Sequence, residues 1–192
     1  ERYGKGVGLD TPLLGWSMTK SVTAAIVGTL VRDGKMSPEA RGLFPEWTDG
    51  RAGIELSDLM AMSSGLEFNE DYGDVTDVTR MLYLEPDMAG FAKAKPLAGT
   101  VGQTWNYSTG TTVLISQLWQ QAAGAEALVY PWKALFDPLG MTSARLEIDS
   151  RGTFVGSSYL YATARDWARF GLFMAQDGVW NGHEILPPGF VQ

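Results

Sequence analysis

At 192 residues and 45% hydrophobic, the chain can bury one substantial core, or one domain plus part of another. Its 15 basic residues are scattered among 22 acidic ones, for a net charge of −7, which argues against nucleic acid as a partner. The absence of Cys and the presence of a single His exclude thiolate chemistry, disulfides and most zinc sites.

The opening Glu1-Arg2-Tyr3 carries neither an initiator Met nor a signal-type apolar segment, and it says nothing of export. From Ser17 onward, Val22, Ala25, Ile26, Thr29 and Leu30 recur at three- and four-residue intervals before Gly34, which predicts a buried-face helix starting near Ser17. The longest apolar run, residues 24–31, is far short of the roughly 18 residues that a membrane span needs. Ser37-Pro38-Glu39 reads as an N-cap followed by proline, opening a short helix or turn. Ser57 is expected to cap a short helix reaching Met62, with Gly65 in a left-handed conformation after it.

Residues 68–73 are polar and acidic and read as a loop, after which Asp74 is expected to cap a helix reaching Leu84. Pro86, Gly90, Pro96, Gly99 and Gly102 make residues 85–103 a long connection without regular structure. An apolar helix is predicted over 109–123, closed by Gly124, and another over 126–136, interrupted by Pro131. Residues 144–148 alternate as a strand, with 153–155 as its partner. Thr163-Ala164-Arg165-Asp166 matches a capping box for a helix reaching Ala175, and Asn181-Gly182 marks a tight turn. With no internal repeat or low-complexity tract, the chain reads as a single helix-rich domain with a minor β component.

The chemistry centres on Ser17-Met18-Thr19-Lys20. At a helix start this spacing puts a hydroxyl and an amine on one face, where the amine could take the hydroxyl's proton and make Ser17 a nucleophile. With 12 Ser and 6 Lys in the chain, chance supplies about 0.4 such pairs, so the pair alone reads more readily as an N-cap and a solvated lysine. A Ser-His-Asp hydrolase elbow needs glycine two residues on either side of the serine; Gly15 fits and Thr19 does not. The one histidine, His183, follows the Asn-Gly turn and reads as a surface residue, which leaves lysine as the base partner, its pKa lowered by burial or nearby positive charge.

Three further segments follow Ser17-x-x-Lys20 in order: Leu59-Met60-Ala61-Met62-Ser63-Ser64-Gly65-Leu66, Tyr107-Ser108-Thr109 before a long apolar helix, and Pro138-Leu139-Gly140-Met141. Together they resemble the serine β-lactamase and penicillin-binding-protein superfamily, on its class C and esterase side. Residues 156–171, from Gly156-Ser157-Ser158-Tyr159 through Arg165-Asp166-Trp167 to Phe170-Gly171, are similar to the branch that contains 6-aminohexanoate-oligomer hydrolases.

The resemblance implies an α+β, β-lactamase-like (DD-peptidase) fold with a helical lobe and an incomplete antiparallel-sheet lobe. It also implies a serine hydrolase acting on a small ester or amide, without cofactor or metal, through an acyl-serine intermediate. Ser17 would be the nucleophile, and Lys20 and Tyr107 would move its proton. The physical reading agrees, because a tyrosine of ordinary pKa near 10 becomes a usable base only beside a cation. The Ser17 N–H at a helix start would serve as one oxyanion donor. Tyr72, on the acidic loop Phe68-Asn69-Glu70-Asp71-Tyr72, matches a tyrosine that in this branch helps to bind the substrate amide.

Two departures from the pattern stand out. Thr109 occupies the substrate-binding position where the second motif usually has Asn, and it offers a hydroxyl but no amide, which weighs against β-lactam recognition. The third motif, Lys-x-Gly or His-x-Gly, is absent: Lys133 precedes Ala134-Leu135 and His183 precedes Glu184-Ile185. The resemblance therefore implies a domain over 1–192 that is incomplete at its C-terminus and at its N-terminus. The alternatives are a penicillin-recognising DD-carboxypeptidase or β-lactamase, and a non-catalytic binding module of the same fold.

Overall fold

A computed structural model describes residues 1–191. The first strand, β1 (Leu13–Leu14), runs through a 3₁₀ turn over Trp16–Met18 into α1 (Thr19–Arg32). The helix therefore begins earlier than Thr19 as a tighter coil, and Ser17 sits inside that turn and makes no side-chain cap. Residues 37–40 form only a turn.

The second helix, α2 (Leu56–Met60), is capped not by Ser57 but by Glu55, whose side chain and that of Asp58 form a reciprocal box. Gly65 follows at φ +73, as expected. A Cβ there would come within 2.6 Å of the Gly99 carbonyl oxygen, so this turn needs glycine for space as well as for φ.

Helix α3 spans Asp77–Leu84 with Thr76, not Asp74, at its cap. The segment expected to lack regular structure contains α4 (Met88–Lys93), started by Asp87, which accepts from the Gly90 N–H at 2.8 Å. Its six residues are too few to show a period, and burial of Met88, Ala89 and Ala92 holds it in place. Next come α5 (Thr109–Ala123) and a π-helical turn over Trp132–Phe136 that runs into α6 (Asp137–Leu139). Pro131 begins that turn rather than breaking a helix.

The strands β2 (Arg145–Leu146) and β3 (Leu160–Ala162) precede α7 (Ala164–Ala175), which Thr163 caps. The antiparallel sheet has the order β1-β3-β2, with Leu13 opposite Ala162 and Leu146 opposite Leu160. Residues 153–155 pair with the end of 144–148 as expected, through an isolated antiparallel bridge between Phe154 and Ile148, although only Arg145–Leu146 of that stretch forms a strand. A hairpin of β4 (Val179–Trp180) and β5 (His183–Glu184) turns through Asn181 and Gly182, both at positive φ.

The core lies where α5 meets α1, α2 and α4. Both long helices are buried over most of their circumference, α1 through Val22, Ala25, Ile26 and Leu30, and α5 through Val113, Leu114, Leu118 and Trp119. Trp119 stacks on Phe154 with ring centroids 5.3 Å apart, tying the helices to the segment that leads into β3.

Asp149 fastens the same region. One of its carboxylate oxygens accepts from the Arg151 and Thr153 N–H groups at 2.9 Å, and the other accepts from the first N–H of α4 at 3.0 Å. Asp149→Ala would leave these donors without a partner and is expected to cost about 2 kcal/mol, read as a lower denaturant midpoint at unchanged slope. An unchanged midpoint would mean that this turn is held by other contacts. Among the described residues no helix is long and apolar enough to cross a membrane.

Candidate active site

The fold places Ser17 by packing its predecessor. Gly15 donates its N–H to the Leu160 carbonyl at 2.8 Å, and a Cβ on it would overlap the Trp167 ring. Trp16, a bulky residue, is then held at φ +44, with its ring edge-on to Tyr159 at 6.3 Å. This is the kind of local backbone strain that persists only where surrounding packing enforces it. Ser17 follows with its side chain exposed.

One turn on, the Lys20 ammonium has three acceptors. It donates to Ser17 Oγ at 3.3 Å, to Thr109 Oγ1 at 3.2 Å and to the Ser157 carbonyl at 3.1 Å. It also lies 5.0 Å from the centre of the Tyr107 ring. Burial lowers the Lys20 pKa to about 8, against an opposing effect from the Glu70 charge. By contrast, burial pushes the Tyr159 phenol up to about 12, so that it stays protonated at neutral pH.

Tyr107 and Thr109 are brought in by the start of α5. Asn106 donates its N–H to the Met62 carbonyl at 2.8 Å and its side-chain amide to the Phe68 carbonyl at 3.2 Å. Ser108 caps the helix by accepting from the Thr111 N–H. Phe68 packs on Gly110, where a Cβ would come within 2.5 Å of its ring, and this contact draws the acidic loop against the first turn of α5.

The loop carries a residue that sequence reasoning did not single out. The Glu70 carboxylate accepts the Thr109 N–H at 2.8 Å on one oxygen and the Thr109 hydroxyl on the other. Thr109, expected where the second motif's Asn orients substrate and lysine, is fully buried with its hydroxyl engaged by Glu70 and Lys20. Tyr72 is 51% exposed beside them. Burial, then the Glu70 charge, raise its pKa, with the Thr109 hydroxyl acting the other way.

The structure thus brings Ser17, Lys20, Tyr107 and Thr109 together, with Tyr72 at the rim. It adds Glu70 and the Ser157 carbonyl, which lie 39 and 137 residues from their partners and have no local signature. Exposed Trp16 and Trp105 flank the group, Trp105 tilted against Tyr107 at 6.4 Å.

A 6-aminohexanoate-dimer hydrolase from Paenarthrobacter ureafaciens is 26% identical over all of this chain and 53% of its own length. The structure of a provisionally named 6-aminohexanoate-dimer hydrolase from Bacillus anthracis superposes with a TM-score of 0.83 at 23% identity, covering 97% of this chain and 53% of the other. A penicillin-binding protein from Bacillus halodurans does so with a TM-score of 0.75 at 17% identity, covering 96% and 65%. These neighbours share the α+β fold described above, and the chain spans about half the length of the curated relative it matches. The family model described as Beta-lactamase matches residues 1–189, and this chain accordingly belongs to the β-lactamase family.

Proposed function

We propose that this chain carries the nucleophile and its proton acceptor in a serine hydrolase that cleaves a small ester or amide through an acyl-Ser17 intermediate, with 6-aminohexanoate-oligomer-like amides as the candidate substrate class. The observation that carries the reading is Lys20, half-buried, 3.3 Å from Ser17 Oγ and with its pKa lowered to about 8. A lysine in that state is partly neutral near neutral pH and can accept a proton.

In this reading the Ser17 proton passes to Lys20 Nζ as Oγ bonds to the substrate carbonyl carbon. The tetrahedral intermediate collapses by breaking the bond to the leaving oxygen or nitrogen, which takes up the proton through Lys20 and Tyr107. Water then attacks the acyl ester with the same groups acting in reverse, regenerating the Ser17 hydroxyl. The Ser17 N–H supplies one oxyanion donor. Tyr72 and the exposed tryptophans contact substrate.

A fluorophosphonate tests the reading on the full chain. It forms a covalent bond from Ser17 Oγ to phosphorus with loss of fluoride, so one adduct is expected, mapped by mass spectrometry to Ser17 and absent from Ser17→Ala. A folded protein that takes no label there would overturn the assignment and favour a binding module. A penicillin that acylates Ser17 durably would favour the penicillin-recognising alternative.

A further inference from the structure

We propose that Glu70 is a positioning residue which, through Thr109, leaves Ser17 as the one proton that neutral Lys20 can accept. The inference rests on the reading of Ser17 and Lys20 as nucleophile and base, and it follows from counting donors and acceptors around Nζ. Protonated Lys20 has three N–H donors and three acceptors: Ser17 Oγ, Thr109 Oγ1 and the Ser157 carbonyl. Neutral Lys20 keeps two N–H groups and gains a lone pair, which must meet a donor. The Ser157 carbonyl cannot supply one.

Thr109 could supply its hydroxyl proton, except that Glu70 claims it. The backbone N–H of Thr109 is an obligate donor, held at 2.8 Å by one carboxylate oxygen, and the other oxygen takes the hydroxyl proton. What remains on Thr109 Oγ1 toward Lys20 is a lone pair. The neutral lysine therefore donates to Thr109 and to Ser157 and turns its own lone pair to Ser17.

The surroundings hold Glu70 in register. The Asn69 N–H donates to Asp77 at 2.9 Å, Asp77 pairs with Lys95, and the Asn69 carbonyl accepts from the Val78 N–H at 3.1 Å. The charged and titratable groups around Lys20 are Glu70 from this loop, whose charge acts on it, and Tyr107 from the segment before α5. Tyr72 stands beside Glu70 and Thr109.

Glu70→Gln reverses the arrangement at nearly constant shape. The amide oxygen must face the Thr109 N–H, so the amide NH₂ donates to Thr109 Oγ1. The hydroxyl proton is then free to turn toward Lys20 and compete with Ser17 for its lone pair.

The test measures two quantities on the full chain, the rate of fluorophosphonate labelling at Ser17 and the titration of Lys20 followed by competitive acetylation with acetic anhydride. Glu70→Gln is expected to slow labelling about tenfold, and the Lys20 midpoint should move down with loss of the carboxylate charge. Thr109→Ser, which keeps the hydroxyl, should label within about threefold of wild type. In a Thr109→Val background, with no hydroxyl to orient, adding Glu70→Gln should cost much less than in wild type, because the two residues act as one unit. An equal cost in both backgrounds, or an unmoved Lys20 midpoint in Glu70→Gln, overturns the proposal. A wild-type chain whose Lys20 titrates as expected while Ser17 never labels supports the Glu70–Thr109–Lys20 link and sinks the hydrolase reading instead.

Discussion

Lys20→Ala is expected to slow acylation of Ser17 by about a thousandfold or more while leaving the chain folded, because it removes the group beside Ser17 Oγ whose burial favours the proton-accepting form. The pH dependence carries the sharper signature. An ordinary lysine titrates near 10.4, whereas burial brings Lys20 to about 8 despite the opposing Glu70 charge. In the proposed mechanism the active form is the neutral one, so the wild-type rate should climb as pH rises through about 8 and level off above it. In Lys20→Ala that limb should vanish. Stopped-flow measurement of an activated ester's hydrolysis, or of the labelling rate, reads both effects. A variant that turns over at the wild-type rate, or that keeps the same limb, would show that another group takes the Ser17 proton.

Gly156→Ala should damage both stability and the site. A methyl group there would overlap Thr23 Oγ1 and Ser116 Oγ, in the seam between α1 and α5. Thr23 is not free to turn away, since its hydroxyl donates to the Gly156 carbonyl at 2.7 Å. Relief must come from movement of the 156–157 backbone, which carries the Ser157 carbonyl away from Lys20. Overpacking of this kind costs about 1–3 kcal/mol. We expect a lower melting temperature and Ser17 labelling reduced about tenfold, the second because Lys20 loses a fixed acceptor. Gly171→Ala is the control: on α7 a methyl meets nothing within 4 Å, so the change should be neutral or stabilising by up to about 1 kcal/mol. Equal behaviour of the two variants would mean that the seam yields without moving Ser157.

What could be read from the amino-acid order alone shared one property, short range. The helix α5 matched its expectation at both ends because an apolar period runs between a serine that caps it and a glycine that closes it, all within one segment. The same holds for α7 behind Thr163 and for the turn at Asn181-Gly182. Shorter elements were legible only in part. Six residues of α4 show no period, and its place is decided by Asp149 and the core it fills. In α2 the sequence offered Ser57 as a cap, but the helix began two residues earlier and Glu55 took the role.

The site divides along the same line. Ser17 and Lys20 meet because three residues make nearly one helical turn, a relation fixed by backbone geometry and visible in the order of residues. The ordered motifs around Tyr107 and Thr109 were legible too, as a resemblance. Tertiary structure alone decided that Thr109 turns inward to the lysine, that Glu70 stands behind it, and that the Ser157 carbonyl completes the set. These contacts come from separate segments, and no local propensity encodes which carboxylate of an acidic loop will reach a helix start 39 residues on. That choice is made by packing: Phe68 against Gly110 brings the loop to α5, and burial then requires that each polar group find a partner there.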